Sequence, residues 1–363
     1  MINRICIILI INFLYSVNLY SKNCEIKKNI KIGILEYEFI NYFQYIYYEL
    51  DNFSSKNEIF FEIESIKKEF ENYDIVFGEY VDINQYANKE LEYPDEVLDF
   101  YKSNGIKITK NLIPLDLDTF ILISNHENQN YNIFLDDLIN INDSTKYTWG
   151  MSFKDSKRFI NLINFNLSYQ KEKLNHPKID YILNLYSKLY FKANNNLINS
   201  SLYELIESNN NDENIFNVFS DGILMNKDVS YSSFQLFPHT KFFWNENEGI
   251  FKRSIENNKK PFSFYGLSAL INNKEAFSFI CHLLDMNIRL NTFENFNNEI
   301  SPISDNEIPN NVKNISEEYL DILKNKNKNI IDVNEKDIED LKVLLDLIKN
   351  NKTYGLEVNN YLN

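Results

Sequence analysis

The sequence predicts an α/β protein built on a parallel sheet, because strand-like and helix-like stretches alternate from Ile30 onward. "IKIGIL" is an apolar run suited to a buried strand. "EYEFINYFQYIYYELDNF" then sets Phe39, Tyr42, Phe43, Ile46 and Leu50 at helical spacing. "EIFFEIES" supplies a second strand and "YDIVFGEYVD" a third, placed at Ile75 to Phe77 and ended by Gly78. Ligands on parallel sheets sit beyond the carboxyl ends of strands, which here means Glu36 to Glu38 and Gly78 to Tyr80.

"NLIPLDLDTFILIS" is a long extended run with Pro114 inside it. A proline is not accommodated in a central strand, so the run reads as a strand that leaves one sheet and enters another. "IFLDDLIN" is a short helix, and "KYTWGMSF" a strand ending near Gly150. Helical stretches follow around Asp155 to Asn164, Ile179 to Ala193 and Ser201 to Ser208, and "NIFNVFSDGILMN" adds a strand and a turn. In "KPFSFYGLSALINN", Leu267 to Ile271 is a strand, and Asn272 or Asn273 caps a helix whose apolar face is Phe277, Ile280, Leu284 and Ile288. From Ser316 the pattern is helical, with "EDLKVLLDLIKN" the clearest amphipathic piece.

A chain of 363 residues can bury a core of two ordinary domains, and 44% hydrophobic with 25% charged residues excludes a disordered chain. The leading residues place Arg4 before an apolar stretch, Ile5 to Leu14, and a small Ser21, the parts of a cleavable signal peptide over residues 1–21. Cys24 and Cys281 then remain and could pair or stay as thiols. The net charge of −15, with Arg4 lost on cleavage, argues against nucleic acid as a partner.

The four histidines, His126, His176, His239 and His282, have no metal-ligand spacing, so no metal is expected. Cys281 and His282 are adjacent on a helix and point to different faces, which leaves His282 a structural role. Gly266-Leu267-Ser268-Ala269-Leu270 lacks the second glycine of a nucleophile elbow. No phosphate-cradling loop or dinucleotide fingerprint is present, so no cofactor is expected either. Aromatic residues near predicted loop ends, Tyr37, Tyr80, Trp149, Tyr231, Trp244, Phe264 and Tyr265, are suited to stack on an apolar sugar face. Aromatics make up 15% of the chain, so core packing is the competing reading for each, and Phe264 and Tyr265 face either cleft or core.

In order, these features resemble the periplasmic solute-binding proteins of ABC importers, especially the carbohydrate-binding group that includes maltose-binding protein. "PFSFYGLSALINN" is similar to that family's return strand, with a later proline matched by Pro302 in "ISPIS". "IPLDLDTFILI" is similar to its crossover strand, with Asp118 at the family's acidic position. "FSDGILMNKDVSYSSF" resembles the turn before an aromatic binding residue, here Tyr231, with one residue fewer between glycine and methionine. "YDIVFGEYVD" matches a ligand-meeting strand end at Glu79 and Tyr80, and Glu36 and Tyr37 match the polar residues after the first strand. Ser152 corresponds loosely to a strand end of the second lobe.

The resemblance implies a type II periplasmic-binding-protein fold, two α/β lobes joined by crossing hinge strands. Lobe 1 is expected at 22–117 and 262–303, and lobe 2 at 118–261 and 304–363. It also implies a monomeric, periplasmic receptor without catalytic residues, which captures a carbohydrate or polyol and delivers it to an inner-membrane ABC permease. Glu36, Tyr37, Glu79, Tyr80, Asp118, Ser152, Tyr231, Trp244, Phe264 and Tyr265 are the expected ligand contacts. A cationic solute such as a polyamine is the alternative ligand, because carboxylates pair with ammonium groups. A secreted glycoside hydrolase using two of the acids, such as Glu36 and Glu79, is the reading from another class.

Overall fold

A computed structural model of the chain describes residues 29–35, 40–108, 110–124, 134–138, 148–150, 181–182, 184–189, 202–211, 215–225, 229–245, 247–253, 261–295, 301–308, 316–330, 343 and 346. The predicted signal peptide, Cys24, and the stretch around Asp155 to Asn164 lie outside the described residues, as does most of the amphipathic segment after Glu339. No helix among the described residues is long and apolar enough to cross a membrane.

The first sheet uses β1 (Asn29–Leu35), β2 (Phe60–Ile66), β3 (Ile75–Glu79) and β4 (Leu112–Pro114). The second begins with β5 (Leu117–Ser124), β6 (Thr148–Gly150), β7 (Ile215–Ser220) and β8 (Ser233–Leu236). Strands β9 (Phe242–Asn245) and β10 (Ile250–Arg253) form a separate antiparallel hairpin. The chain then supplies β11 (Ser263–Tyr265) to the second sheet and β12 (Leu267–Ile271) to the first. Strand order is β2-β1-β3-β12-β4 in the first sheet and β11-β5-β7-β6 in the second, with β8 also pairing β5.

The expected parallel start is present: β1 runs parallel to both β2 and β3. The inner strand β3 is apolar on both faces because both are covered, whereas the edge strand β2 alternates, with Glu62 and Glu64 exposed. Ile75 and Phe77 point to the side occupied by Phe279, whose ring lies 6.2 Å from Phe77, 5.3 Å from Phe61 and 5.4 Å from Phe53. Val76 and Leu270 point the other way, onto Leu35, Ile66, Phe70 and Ile83. Phe53 lies on the helix Ile40–Asn57, and Phe279 on Phe277–Leu284. These two helices are also tied by His282, whose Nε2 meets the buried Glu49 Oε2 at 2.9 Å. The structural role expected of His282 is this contact.

Two local readings need correction. Strand β3 does not stop at Gly78 but continues to Glu79, with Gly78 opposite Ser268 and Glu79 opposite Leu267. A Cβ at Gly78 would lie 3.0 Å from Ile83 Cγ2, so the glycine admits the following helical turn rather than ending the strand. The helix after β12 is also broken. Asn273 caps its entry by accepting from Glu275 N, but Asp285 Oδ1 accepts from Asn287 N and Ile288 N and starts a second helix, Met286–Asn295. Ile288 therefore belongs to a different helix from Phe277.

The run containing Pro114 splits as expected. Pro114 closes β4, an edge strand of the first sheet, and Leu117 opens β5, every residue of which is buried in the second. The chain returns antiparallel beside this passage: Tyr265 pairs with Leu117, and Ser268 pairs with Pro114. Leu115-Asp116 and Gly266 are thus the only residues between sheets on their respective passages. Leu115 N donates to Leu267 O at 2.7 Å, holding the two together.

Candidate functional site

The crossover gathers five of the predicted site residues: Glu79, Tyr80, Asp118, Phe264 and Tyr265. Tyr80 N donates to Gly266 O at 2.8 Å, which fixes the carboxyl end of β3 against the returning chain. That contact sets Tyr80 beside Tyr265, with ring centroids 4.8 Å apart and planes at 47°. Both rings are half-buried, Tyr80 against the Val76 side of the first sheet and Tyr265 against the main core. Because Tyr265 pairs within the second sheet, the aromatic pair bridges the two sheets. Two part-exposed ring faces at a strand end can stack on the apolar face of a small solute.

Phe264 takes the other side. Neighbouring strand residues point to opposite faces, so while Tyr265 reaches Tyr80, Phe264 is buried and stacks on Phe120 with centroids 4.7 Å apart and planes at 29°. It is a core residue and offers no face to a solute. Asp118 is buried and accepts a 2.5 Å hydrogen bond from Ser301 Oγ, which itself accepts from Gly222 N. Glu79 is also buried, 8% exposed, at the end of β3.

Tyr231 stands at the opposite end of β5, where its neighbour Ser232 donates to Ser124 O. That is seven strand positions from the Leu117 and Tyr265 pairing, roughly 20 Å of extended chain. Its half-buried ring packs edge-on to Phe234 at 6.0 Å, and burial raises its hydroxyl pKa. The structure does not bring it to the Tyr80 and Tyr265 pair. Trp244 lies in the β9 and β10 hairpin, opposite Phe251 in register. Glu36, Tyr37 and Ser152 lie outside the described residues, although Glu36 follows directly on the last residue of β1.

Beneath the aromatic pair is a buried charge network that the sequence reading missed. Three carbonyls of the passage are held by side chains: Tyr101 Oη donates to Pro114 O, Arg289 to Leu115 O at 3.0 Å, and Lys326 Nζ to Leu117 O. Arg289 also meets Glu307 Oε2 at 2.6 Å and lies over the rings of Phe100 and Phe293. Burial works against the Arg289 charge, but Glu307 and the neighbouring Tyr45 and Tyr101 together outweigh it, and its pKa is raised. Lys326 Nζ meets Asp221 Oδ2 at 2.9 Å, and Asp221 Oδ1 accepts from Thr119 N at 3.0 Å. Asp116 completes the set. Burial, then the neighbouring Asp118 charge, holds its carboxyl well above the usual carboxylate range; Lys326 opposes this, Glu79 adds to it, and Arg289 opposes it. Asp116 was visible as the acid two residues before Asp118. The partners of these groups come from chain segments far apart in sequence.

Among the described residues no cluster of three histidine, cysteine or acidic side chains could hold a metal ion. No family model matches the chain, and no curated protein matches it. Solved structures do. The bacterial solute receptor AcbH, reported with an exclusive preference for β-D-galactopyranose, superposes with a TM-score of 0.59 at 10% identity over 89% of this chain and 93% of its own. A substrate-binding protein from Listeria monocytogenes in complex with cycloalternan gives 0.57 at 11% identity over 92% and 97%. The spermidine/putrescine substrate-binding protein PotD from Streptococcus pneumoniae gives 0.54 at 12% identity over 89% and 99%. At such identity the likeness is one of fold, and the paired sheets with their crossing passages give this chain the two-lobed, type II periplasmic-binding-protein fold shared by these ABC-transporter solute-binding proteins.

Proposed function

We propose that this chain is an extracytoplasmic solute-binding receptor of an ABC importer, not an enzyme, and that it takes a small carbohydrate or polyol between two lobes. The observation that carries the reading is the Tyr80 and Tyr265 pair, half-exposed at a strand end and bridging the two sheets. Flat ring faces there suit a sugar, and Glu36 and Tyr37, next along the chain from β1, would add hydroxyl partners. Lobe 1 would comprise 22–117 and 262–303 and lobe 2 the segments 118–261 and 304–363. The change of sheet between Pro114 and Leu117, and again at Gly266, supports divisions close to these.

The buried state of Glu79 and Asp118 favours a neutral solute over a polyamine, since neither acid is presented to an incoming ammonium group. It also disfavours a glycosidase, whose acid and nucleophile must both reach the scissile bond. Receptor function implies export through residues 1–21, a periplasmic location, a monomeric state and a permease partner in the inner membrane.

Native mass spectrometry of freshly purified protein, followed by calorimetry against sugars, polyols and polyamines, tests the reading. A co-purified neutral solute or micromolar binding of a sugar or polyol is the expected result. Binding of polyamines alone would overturn the ligand class. Turnover of aryl glycosides that is lost in Glu79→Gln would overturn the receptor role.

A further inference from the structure

Asp116 occupies the middle of the outward passage, and Gly266 the middle of the return. The Asp116 side chain is fully buried, and neither carboxyl oxygen has a hydrogen-bond partner among the described residues. Its Oδ1 lies 2.5 Å from where a Cβ on Gly266 would stand, so only glycine lets the two passages approach this closely. Any rotation of one sheet relative to the other must bend these two short passages and slide Gly266 against the carboxyl group.

The groups facing Asp116 do not neutralise it. Asp118 of β5 and Glu79 of β3 are acids, and Tyr45 of the helix Ile40–Asn57 brings a neutral hydroxyl. The two cations are Lys326 and Arg289. Lys326 is bonded to Asp221 and Leu117 O, and Arg289 to Glu307 and Leu115 O. Neither bonds Asp116. An ionised Asp116 would be a buried anion without a donor beside two further acids, an arrangement that expels its charge or admits water.

We propose that Asp116 is a proton-operated latch on the hinge: protonated, it packs on Gly266 in the conformation described, and its ionisation draws in water and moves the two sheets to a different relative angle. The upward displacement of the Asp116 pKa by burial agrees with this. Linkage sets the direction. The conformation that buries the carboxyl binds the proton more tightly, so falling pH populates it and rising pH depopulates it, by up to about tenfold per pH unit between the pKa values of the two conformations. The proposal rests on the two-sheet arrangement and not on the solute reading, so the test uses ligand-free protein.

Small-angle X-ray scattering of the full chain, extensively dialysed, at about pH 5 and about pH 8 reads the angle between the sheets. The wild type is expected to change its radius of gyration between the two. Asp116→Asn, neutral throughout, is expected to keep the low-pH value at both. Gly266→Ala, whose methyl meets Asp116 Oδ1, is expected to show the high-pH value at both. A wild-type radius that does not move, or an Asp116→Asn protein that moves as the wild type does, overturns the proposal. Infrared spectroscopy of the wild type supplies a check independent of variant folding. A carboxylic-acid carbonyl band is expected at about pH 5 and should weaken by about pH 8 together with the change in radius; a band that is absent, or constant across that range, overturns it.

Discussion

Arg289 is 1% exposed, yet it keeps its charge because Glu307, the Leu115 carbonyl and two phenylalanine rings replace the water it lost. Removing it leaves Glu307 buried without its cation, so Arg289→Met should lower stability by about 3–5 kcal/mol in urea denaturation. The double variant Arg289→Met with Glu307→Leu should recover much of that loss, because no lone charge then stays inside. Asp116 behaves oppositely. Its pKa is raised above the ordinary 3.8, so the folded state favours the protonated acid. The stability this contributes is complete below the ordinary value and is lost as pH rises from there through the raised one. Asp116→Asn cannot ionise, and its melting temperature should gain on the wild type steadily from about pH 4 to about pH 7. A constant difference across that range would show that the ionised acid is accommodated.

At the scale of elements, short apolar runs and period-3.6 patterning were enough to place β1, β2, the helix between them and β12, because strands and helices that bury apolar residues carry these patterns in sequence. The break at Asp285 escaped this reading because Phe277, Ile280, Leu284 and Ile288 continue the helical spacing across it. The Asp285 backbone, which leaves the helix at ψ 129°, and its side-chain cap mark the interruption. Asn272 shows a similar limit. It was a candidate helix cap, but its Nδ2 instead donates to Phe70 O at 2.7 Å and Tyr73 O at 3.0 Å, tying the end of β12 to the turn before β3, while Asn273 is the cap. Asn272→Ala should leave two carbonyls without this donor and cost about 1–3 kcal/mol. Equilibrium denaturation with an unchanged slope against urea would confirm a purely local loss.

For the whole molecule, the decisive feature is that the chain passes between two sheets and returns within a few ångströms of its own path. If the Tyr80 and Tyr265 pair lines the solute site, Tyr265→Ala should weaken binding of the best sugar or polyol by about tenfold or more, equivalent to about 1.4 kcal/mol. Calorimetry on protein shown by circular dichroism to be folded measures this. Unchanged affinity would place the solute elsewhere, for instance near Trp244 or Tyr231. The same substitution at Tyr231 is expected to have less effect, given its position at the far end of β5.

Alternating apolar runs, the proline inside "NLIPLDLDTF" and the glycine inside "FYGLSALI" determined by themselves that this is an α/β protein whose chain crosses between two layers. These are local properties, set by backbone geometry and by which residues each strand can bury. Only the tertiary structure decided which crossover residues face outward. Phe264 and Tyr265 are chemically alike and adjacent in sequence, and one became core and the other half of an aromatic bridge because the strand's two faces meet different neighbours. It also decided that Asp118 is a buried partner of Ser301, that Lys326 meets Asp221, and that Asp116 lies against Gly266 with no donor among the described residues. The Asp118–Ser301 and Lys326–Asp221 contacts join groups more than 100 positions apart, and no spacing along one chain reports them.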